Sequence, residues 1–182
     1  MPTVTTEHSK YKGVIVNTTD MRKLKAWVNR KIQDIIDVLV FRLTQIGEEC
    51  VKIAREPHAN DYNDITGNLR SSIGYMVMVN GKPVVGGDFV AQTVAPGVRT
   101  IKTKDGKTVN QKVGGDGAEG VKQGEKLLHT LQADYPSGVV LIVCAGMSYA
   151  AYVEHIHHKD VLTSAELVAK DLMRKLLGGM LQ

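Results

Sequence analysis

The strongest pattern along the chain is a run of apolar residues spaced three and four apart. Leu24, Val28, Ile32, Ile35, Leu39, Leu43, Ile46, Cys50 and Ile53 recur in this way between Met21 and Arg55. Side chains so spaced share one face of a helix. The run predicts an amphipathic helix of roughly 50 Å at about 1.5 Å per residue. Arg22, Lys25, Arg30, Asp34, Asp37, Arg42, Glu48 and Lys52 stand between the apolar positions and form its polar side. Thr19 or Asp20 supplies an N-cap. A helix of this length exceeds what a small sheet covers. Either part of it meets another subunit, or it breaks near Gly47.

The period then changes. "VIVN" at 14–17 reads as a short strand, and "EPHANDYNDITGN" at 56–68 as a loop. "IGYMVMV" at 73–79 is strand-like, Asn80-Gly81 is the best hairpin turn in the chain, and "PVVGG" returns from it. Residues 86–137 are glycine-rich and read as an insertion. Within them "VRTIKTKDGKTVNQKV" alternates around Asp105-Gly106, which predicts an exposed hairpin near 97–113. "GGDGAEG" reads as a flexible linker and "VKQGEKLLHTLQ" as a short helix. The apolar run "GVVLIVCAG" at 138–146 predicts a central strand covered on both faces. "DVLTSAELVAKDLMRKLLGGM" closes the chain as a helix with Leu162, Leu167, Val168, Leu172 and Leu176 inward and Gly178-Gly179 as its stop. The expected fold is α+β: a mainly antiparallel sheet packed by a long N-terminal helix and a C-terminal helix, with an inserted hairpin. A single domain is expected over 1–182, with its core at 14–85 and 138–177.

Composition narrows the classes. At 182 residues and 43% hydrophobic the chain can bury a core without staples. A net charge of +4 is a mild basic excess, below that of a dedicated DNA-binding domain. Cys50 and Cys144 lie in apolar settings with no metal-type spacing, as buried thiols of a reducing compartment do. "MPTVTTEHSKYKG" has no signal-peptide apolar region, and the longest apolar run is too short to span a bilayer.

Few residues carry chemistry. Glu154, His155, His157 and His158 cluster, yet zinc helices favour two histidines at i and i+4. Only Glu154, His155 and His158 would share a face, which makes them weak metal ligands. No nucleophile motif or P-loop is present, and no cofactor is expected. Arg99, Lys102, Lys104, Lys107 and Lys112 line the predicted hairpin and are candidates for contact with DNA or a neighbouring protein. No aromatic residues interleave them, so they do not form a stacking platform. A small metal-dependent enzyme using 154–158 and a non-specific nucleic-acid-binding protein are the readings these clusters leave open.

Two segments carry a resemblance. "DITGNLRSSIGY" at 64–75 follows the long helix, and "GMSYAAYVEH" at 146–155 follows the apolar strand. In this order they resemble the tail-component and head–tail joining family of tailed bacteriophages. Thr66, Gly67, Asn68, Leu69, Arg70, Ser72 and Ile73 match its first segment. Tyr149, Ala150, Tyr152, Val153 and Glu154 match its second. The resemblance covers 20–85 and 138–177 and leaves out 86–137. "HIHHKDVLTSAE" departs from the glycine and proline-rich turn that follows the glutamate in many members. The resemblance implies a non-enzymatic virion protein, made in the bacterial cytoplasm. It would form a ring, commonly hexameric, at the neck or tail terminus around the DNA channel. Its implied partners are further copies of itself, adjoining neck and tail-tube proteins, and double-stranded DNA contacted non-specifically, with no membrane. Tyr149 and Tyr152 would then anchor a helix on the sheet, and the histidines would occupy a variable loop.

Overall fold

Asp20 starts the long helix. Its carboxylate accepts the Arg22 N–H at 3.0 Å and its carbonyl accepts the Leu24 N–H at 3.0 Å, so two of the donors that a helix N-terminus leaves open are satisfied. Helix α1 runs Met21–Arg55 without a break. Gly47 is therefore not a hinge. A Cβ there would collide with the Tyr75 ring, and the missing side chain lets helix and strand approach. The structure, a computed structural model, describes residues 20–56, 62, 64–87, 89–102 and 105–180. The expected strand at 14–17 and Thr19 lie outside them.

The chain divides into two compact units, Met1–Leu39 and Val40–Gln182, and the division falls within α1. In the first unit the described residues are helical from Met21, and Trp27, Val28, Ile32, Ile35 and Val38 are exposed. The second unit holds every other element: α2 (Asn68–Ser71), β1 (Ile73–Val79), β2 (Lys82–Gly86), β3 (Val94–Lys102), β4 (Thr108–Gly115), α3 (Ala118–Gln132), β5 (Val139–Ala145), α4 (Ala150–His155) and α5 (Thr163–Met180). This is the α+β arrangement that the sequence predicts.

The main sheet has the order β2-β1-β5 and is antiparallel throughout. Asn80 and Gly81 both take positive φ, as the two-residue turn joining β1 to β2 demands. The centre of the sheet is β1, and β5 is an edge strand, contrary to the expectation from its apolar run. Coverage of both faces explains that run. Val139, Leu141 and Val143 face a core with Leu43, Ile46, Cys50, Ile73, Val77, Val161 and Ala165. Val140, Ile142 and Cys144 face a second core with Met76, Met78 and Leu128. Apolar character along a strand reports cover above and below it, not the number of its neighbours.

That second core corrects the boundary of the insertion. Helix α3 was expected within a detached block, but its Leu128 is buried between β1 and β5. It belongs to the core. Only the β3–β4 hairpin forms a separate two-stranded sheet, turning at Asp105 and Gly106 as expected. Gly120, read as linker, and Gly124, within the expected helix, serve the packing of α3: both are buried, and Gly124 crosses Gly146 backbone to backbone. Helix α5 does not stop at Gly178-Gly179 but continues to Met180. Its inward face is Ala165, Ala169, Leu172, Met173 and Leu176, with Leu162 packing just before it, whereas Leu167 is exposed.

Two glycine substitutions separate these roles. Gly146→Ala puts a methyl against the α3 backbone and is expected to destabilise by about 1–3 kcal/mol, as overpacking does. Gly178→Ala meets nothing within 4 Å in a helical position, and is expected to stabilise by about 0.5–1 kcal/mol. Urea unfolding midpoints of the two variants test the opposite signs.

Candidate functional site

The first matching segment is a polar hub between secondary-structure elements. Gly67, at φ 79°, opens the one-turn helix α2. The Arg70 N–H donates to the Asp64 carboxylate at 2.8 Å, and the Arg70 guanidinium lies 5.4 Å from the Tyr62 ring centroid. Leu69 and Ile73 are buried in the first core. Asn68 reaches α3, its side-chain oxygen accepting the Gly120 N–H at 3.3 Å. Thr66 abuts Gly115 at the base of the hairpin, and the neighbouring Ile65 carbonyl accepts the Gly114 N–H at 2.9 Å.

Ser71 and Ser72, both with no exposed surface, join this turn to distant parts of the chain. The Ser71 hydroxyl donates to the Gly67 carbonyl at 2.7 Å and accepts the Gln92 N–H at 2.7 Å. The Ser72 hydroxyl donates to the Leu69 carbonyl at 2.8 Å and accepts the Met147 N–H at 3.3 Å. The Ser72 carbonyl accepts the Gly146 N–H at 2.9 Å. The two matching segments, distant in sequence, therefore meet at Ser72. Ser71 was not singled out in the sequence, because it occupies the variable position of the motif and nothing local distinguishes it.

In the second segment the expected anchors change. Tyr149 is 38% exposed and Tyr152 55% exposed, so neither ring pins α4 to the sheet. Ala150 is buried in the first core, and Val153 packs against it. Small residues win here because α4 lies too close to the core for a ring. Burial and the nearby Asp64 push the Tyr149 phenol up. Tyr152 instead meets His157 edge to face, with centroids 5.0 Å apart.

Glu154 caps helix α5. One carboxylate oxygen accepts the Leu162 N–H at 3.1 Å, the Thr163 N–H at 2.8 Å and the Thr163 hydroxyl at 2.6 Å. Asp160 adds a second cap by accepting the Ser164 N–H at 3.1 Å. His155 and His158 are exposed, and His158 takes φ 50° past the end of α4. Among the described residues no group of three or more His, Cys, Asp or Glu is placed to hold a metal ion.

The basic residues of the hairpin are divided. Strand alternation and the pairing Val98↔Lys112 and Lys102↔Thr108 put Lys102 and Lys112 on one face, while Arg99 lies on the other with Ile101 and Val109. Lys107 sits beside the turn, and Lys104 lies outside the described residues. These residues do not form one continuous basic face.

An apolar groove of about 660 Å³ lies between the second half of α1, β5 and α5. Cys50, Leu141, Val143, Ala169 and Met173 line it, with Lys170 and Arg174 among its polar groups. Sequence reasoning missed it, since it arises from three segments far apart in the chain. Cys50 is 1% exposed, and burial, then Glu49, push its thiol up. Burial pushes Cys144 up to about 12 from an ordinary 9.0.

No protein-family model matches the chain, and neither a curated protein nor a solved structure matches it.

Three outcomes test this geometry. Ser72→Ala leaves the Met147 N–H without its acceptor and is expected to cost about 1–3 kcal/mol in urea unfolding. Replacing His155, His157 and His158 with Gln is expected to leave the melting temperature unchanged, with or without chelator. A loss restored by zinc would make the cluster a metal site. The buried cysteines contribute to the alkaline limb of stability. The folded state keeps the Cys144 proton up to pH about 12, whereas the unfolded chain releases it near 9. The unfolded state then binds fewer protons, so stability falls as pH rises through that window. Cys144→Ala is expected to flatten this fall in unfolding midpoints measured between pH about 8 and 11.

Proposed function

We propose that this protein is a structural virion subunit of a tailed bacteriophage, forming a ring at the head–tail interface around the DNA channel. One observation carries the assembly part of this reading. The first half of α1 leaves Trp27, Val28, Ile32, Ile35 and Val38 exposed on successive helical turns. Apolar surface of this extent on a single chain marks an association surface. The phage part rests on the two matching segments, which lie at the junction holding α2, β1, α3 and α4 together. Their order in the chain is also their meeting in space, at Ser72.

The remaining features agree with a subunit that acts by position. Glu154, the acidic member of the one histidine-rich cluster, is engaged in capping α5. Lys102, Lys107 and Lys112 are exposed on the hairpin, where they suit non-sequence-specific contact with phosphate or an acidic neighbour. Among the described residues no helix is long and apolar enough to cross a membrane. A virion location and a hexameric ring belong to this proposal.

Native mass spectrometry and class-averaged electron micrographs of the purified protein test it. Closed rings of a single subunit count are expected, and virions lacking the protein should show unjoined heads and tails. Isolated copies at all concentrations and in virions would exclude the ring. The hairpin gives a second test. Trypsin is expected to cut free subunits first at Lys102 or Lys107, beside the exposed turn. Assembled particles should resist this cut. A first cut within α1 would refute the assignment of the hairpin as the accessible element.

A further inference from the structure

The spacing of the α1 stripe carries more than amphipathicity. Leu24, Val28, Ile32, Ile35, Leu39, Leu43, Ile46, Cys50 and Ala54 follow steps of four, four and three. This is an eleven-residue repeat, close to the natural period of a straight helix, and not the seven-residue repeat of a left-handed coiled coil. A seven-residue register through Val28, Ile32, Ile35 and Leu39 is apolar over the first half but for Lys25, and carried further it places Arg42 and Glu49 in the seam. A seven-residue seam between two copies of α1 is therefore interrupted at Arg42, past the first half of the helix. The stripe fits a straight helix laid on a globular surface, and its second half is used in that way: Leu43, Ile46, Cys50 and Ala54 are buried in the core. Along its first half Val28, Ile32 and Ile35 are exposed.

The same chain carries an uncovered concave apolar surface, the groove of about 660 Å³ between α1, β5 and α5. Its lining includes Leu141, Val143, Ala169 and Met173, and Glu166, Lys170 and Arg174 are its charged members. We propose that the groove receives the first half of α1, residues 21–39, from a second copy of this chain. Val28, Ile32 and Ile35 are the inserted side chains. This inference rests on the ring reading, for which it supplies the subunit interface.

Size and symmetry support that occupant. Residues 21–39 span about 30 Å of a helix about 10 Å across, so half of the lateral surface is about 500 Å². Covering this on the helix, and a like area on its receptor, brings the contact to about 1,000 Å². That is the lower bound for a specific interface. Charged residues flank both surfaces, with Lys25 and Lys31 beside the stripe and, on α5, Glu166 and Asp171 paired with Lys170 and Arg174. A stripe seated in a groove is also a contact between two different patches. Each subunit then offers one free stripe and one free groove, and the contact repeats until a ring closes. A stripe-to-stripe contact would stop at two copies and leave every groove open.

Complementary variants test this. The stripe variant is Ile32→Asp with Ile35→Asp; the groove variant is Ala169→Trp. Each alone is expected to self-associate at least about 100-fold more weakly than the unaltered protein in sedimentation velocity, as loss of a central apolar anchor does. Mixed together, they should form a dimer of one copy each that does not grow, because only one intact stripe and one intact groove remain. A groove variant that still forms rings would overturn the inference and leave the ring reading standing. Dimers of the groove variant alone would show stripe-to-stripe pairing and overturn it as well. An unaltered protein that stays monomeric in solution and in virions would overturn both. If Ala169→Trp fails to fold by circular dichroism, a photo-crosslinking residue at position 32 of the otherwise unaltered chain decides. Crosslinks to 139–143 and 162–174 of another copy are expected, and crosslinks confined to 21–39 would overturn the proposal.

Discussion

Two buried serine hydroxyls hold the arrangement of the second unit. Ser71 and Ser72 each donate within their own short turn and accept a backbone N–H from elsewhere, Gln92 in one case and Met147 in the other. A hydroxyl can do both at once because it carries one donor and two acceptor lone pairs. In a fully buried position, neither bond is replaceable by water. The hairpin approach, the turn into α4 and the first residue of β1 are thereby fixed to one four-residue helix. The close passage of Gly124 over Gly146 depends on that fixing, since the Gly146 N–H is held by the Ser72 carbonyl.

Where the fold was legible in the sequence, a local rule was decisive. The α1 stripe encodes its own period, and Asn80-Gly81 encodes a turn with two positive φ angles. Asp105-Gly106 marks the turn of the second hairpin, where Gly106 alone of the pair takes a positive φ. Where reading failed, the deciding quantity was tertiary. Helix α3 meets the hub through glycine rather than leucine, so Gly117 and Gly120 read as a linker although Gly117, Gly120 and Gly124 are spaced three and four apart, as on one helix face. The edge position of β5 was invisible because hydrophobicity reports the faces of a strand and not its sides. The run of α5 through Gly178 and Gly179 shows a residue of low helix propensity tolerated where the preceding turns are already packed.

The candidate site divides in the same way. The residues of the first segment lie together between α2, β1 and α3, but their sequence does not reveal what they do. Asn68 and Ser72 act on partners 52 and 75 residues away. The aromatic residues of the second segment drew attention because large rings are usually anchors. Here the alanine between them is the buried one, a choice set by how near α4 lies to the core. The groove had no sequence signature at all, since Cys50, Leu141 and Met173 share no local pattern.

The cap on α5 has a consequence for how the chain can vary. Glu154 reaches across eight residues to Leu162 and so closes the intervening segment into a loop whose two ends are tied by one side chain. Val161 is buried beneath it, but Ile156, His157 and His158 are exposed. Closing a slightly longer loop of this kind costs only a fraction of a kcal/mol, since the entropy grows with the logarithm of length. The histidines therefore sit where drift is cheap: a stretch whose letters can be exchanged, and into which foreign residues can be spliced, while the glutamate before it and the threonine after it keep the frame.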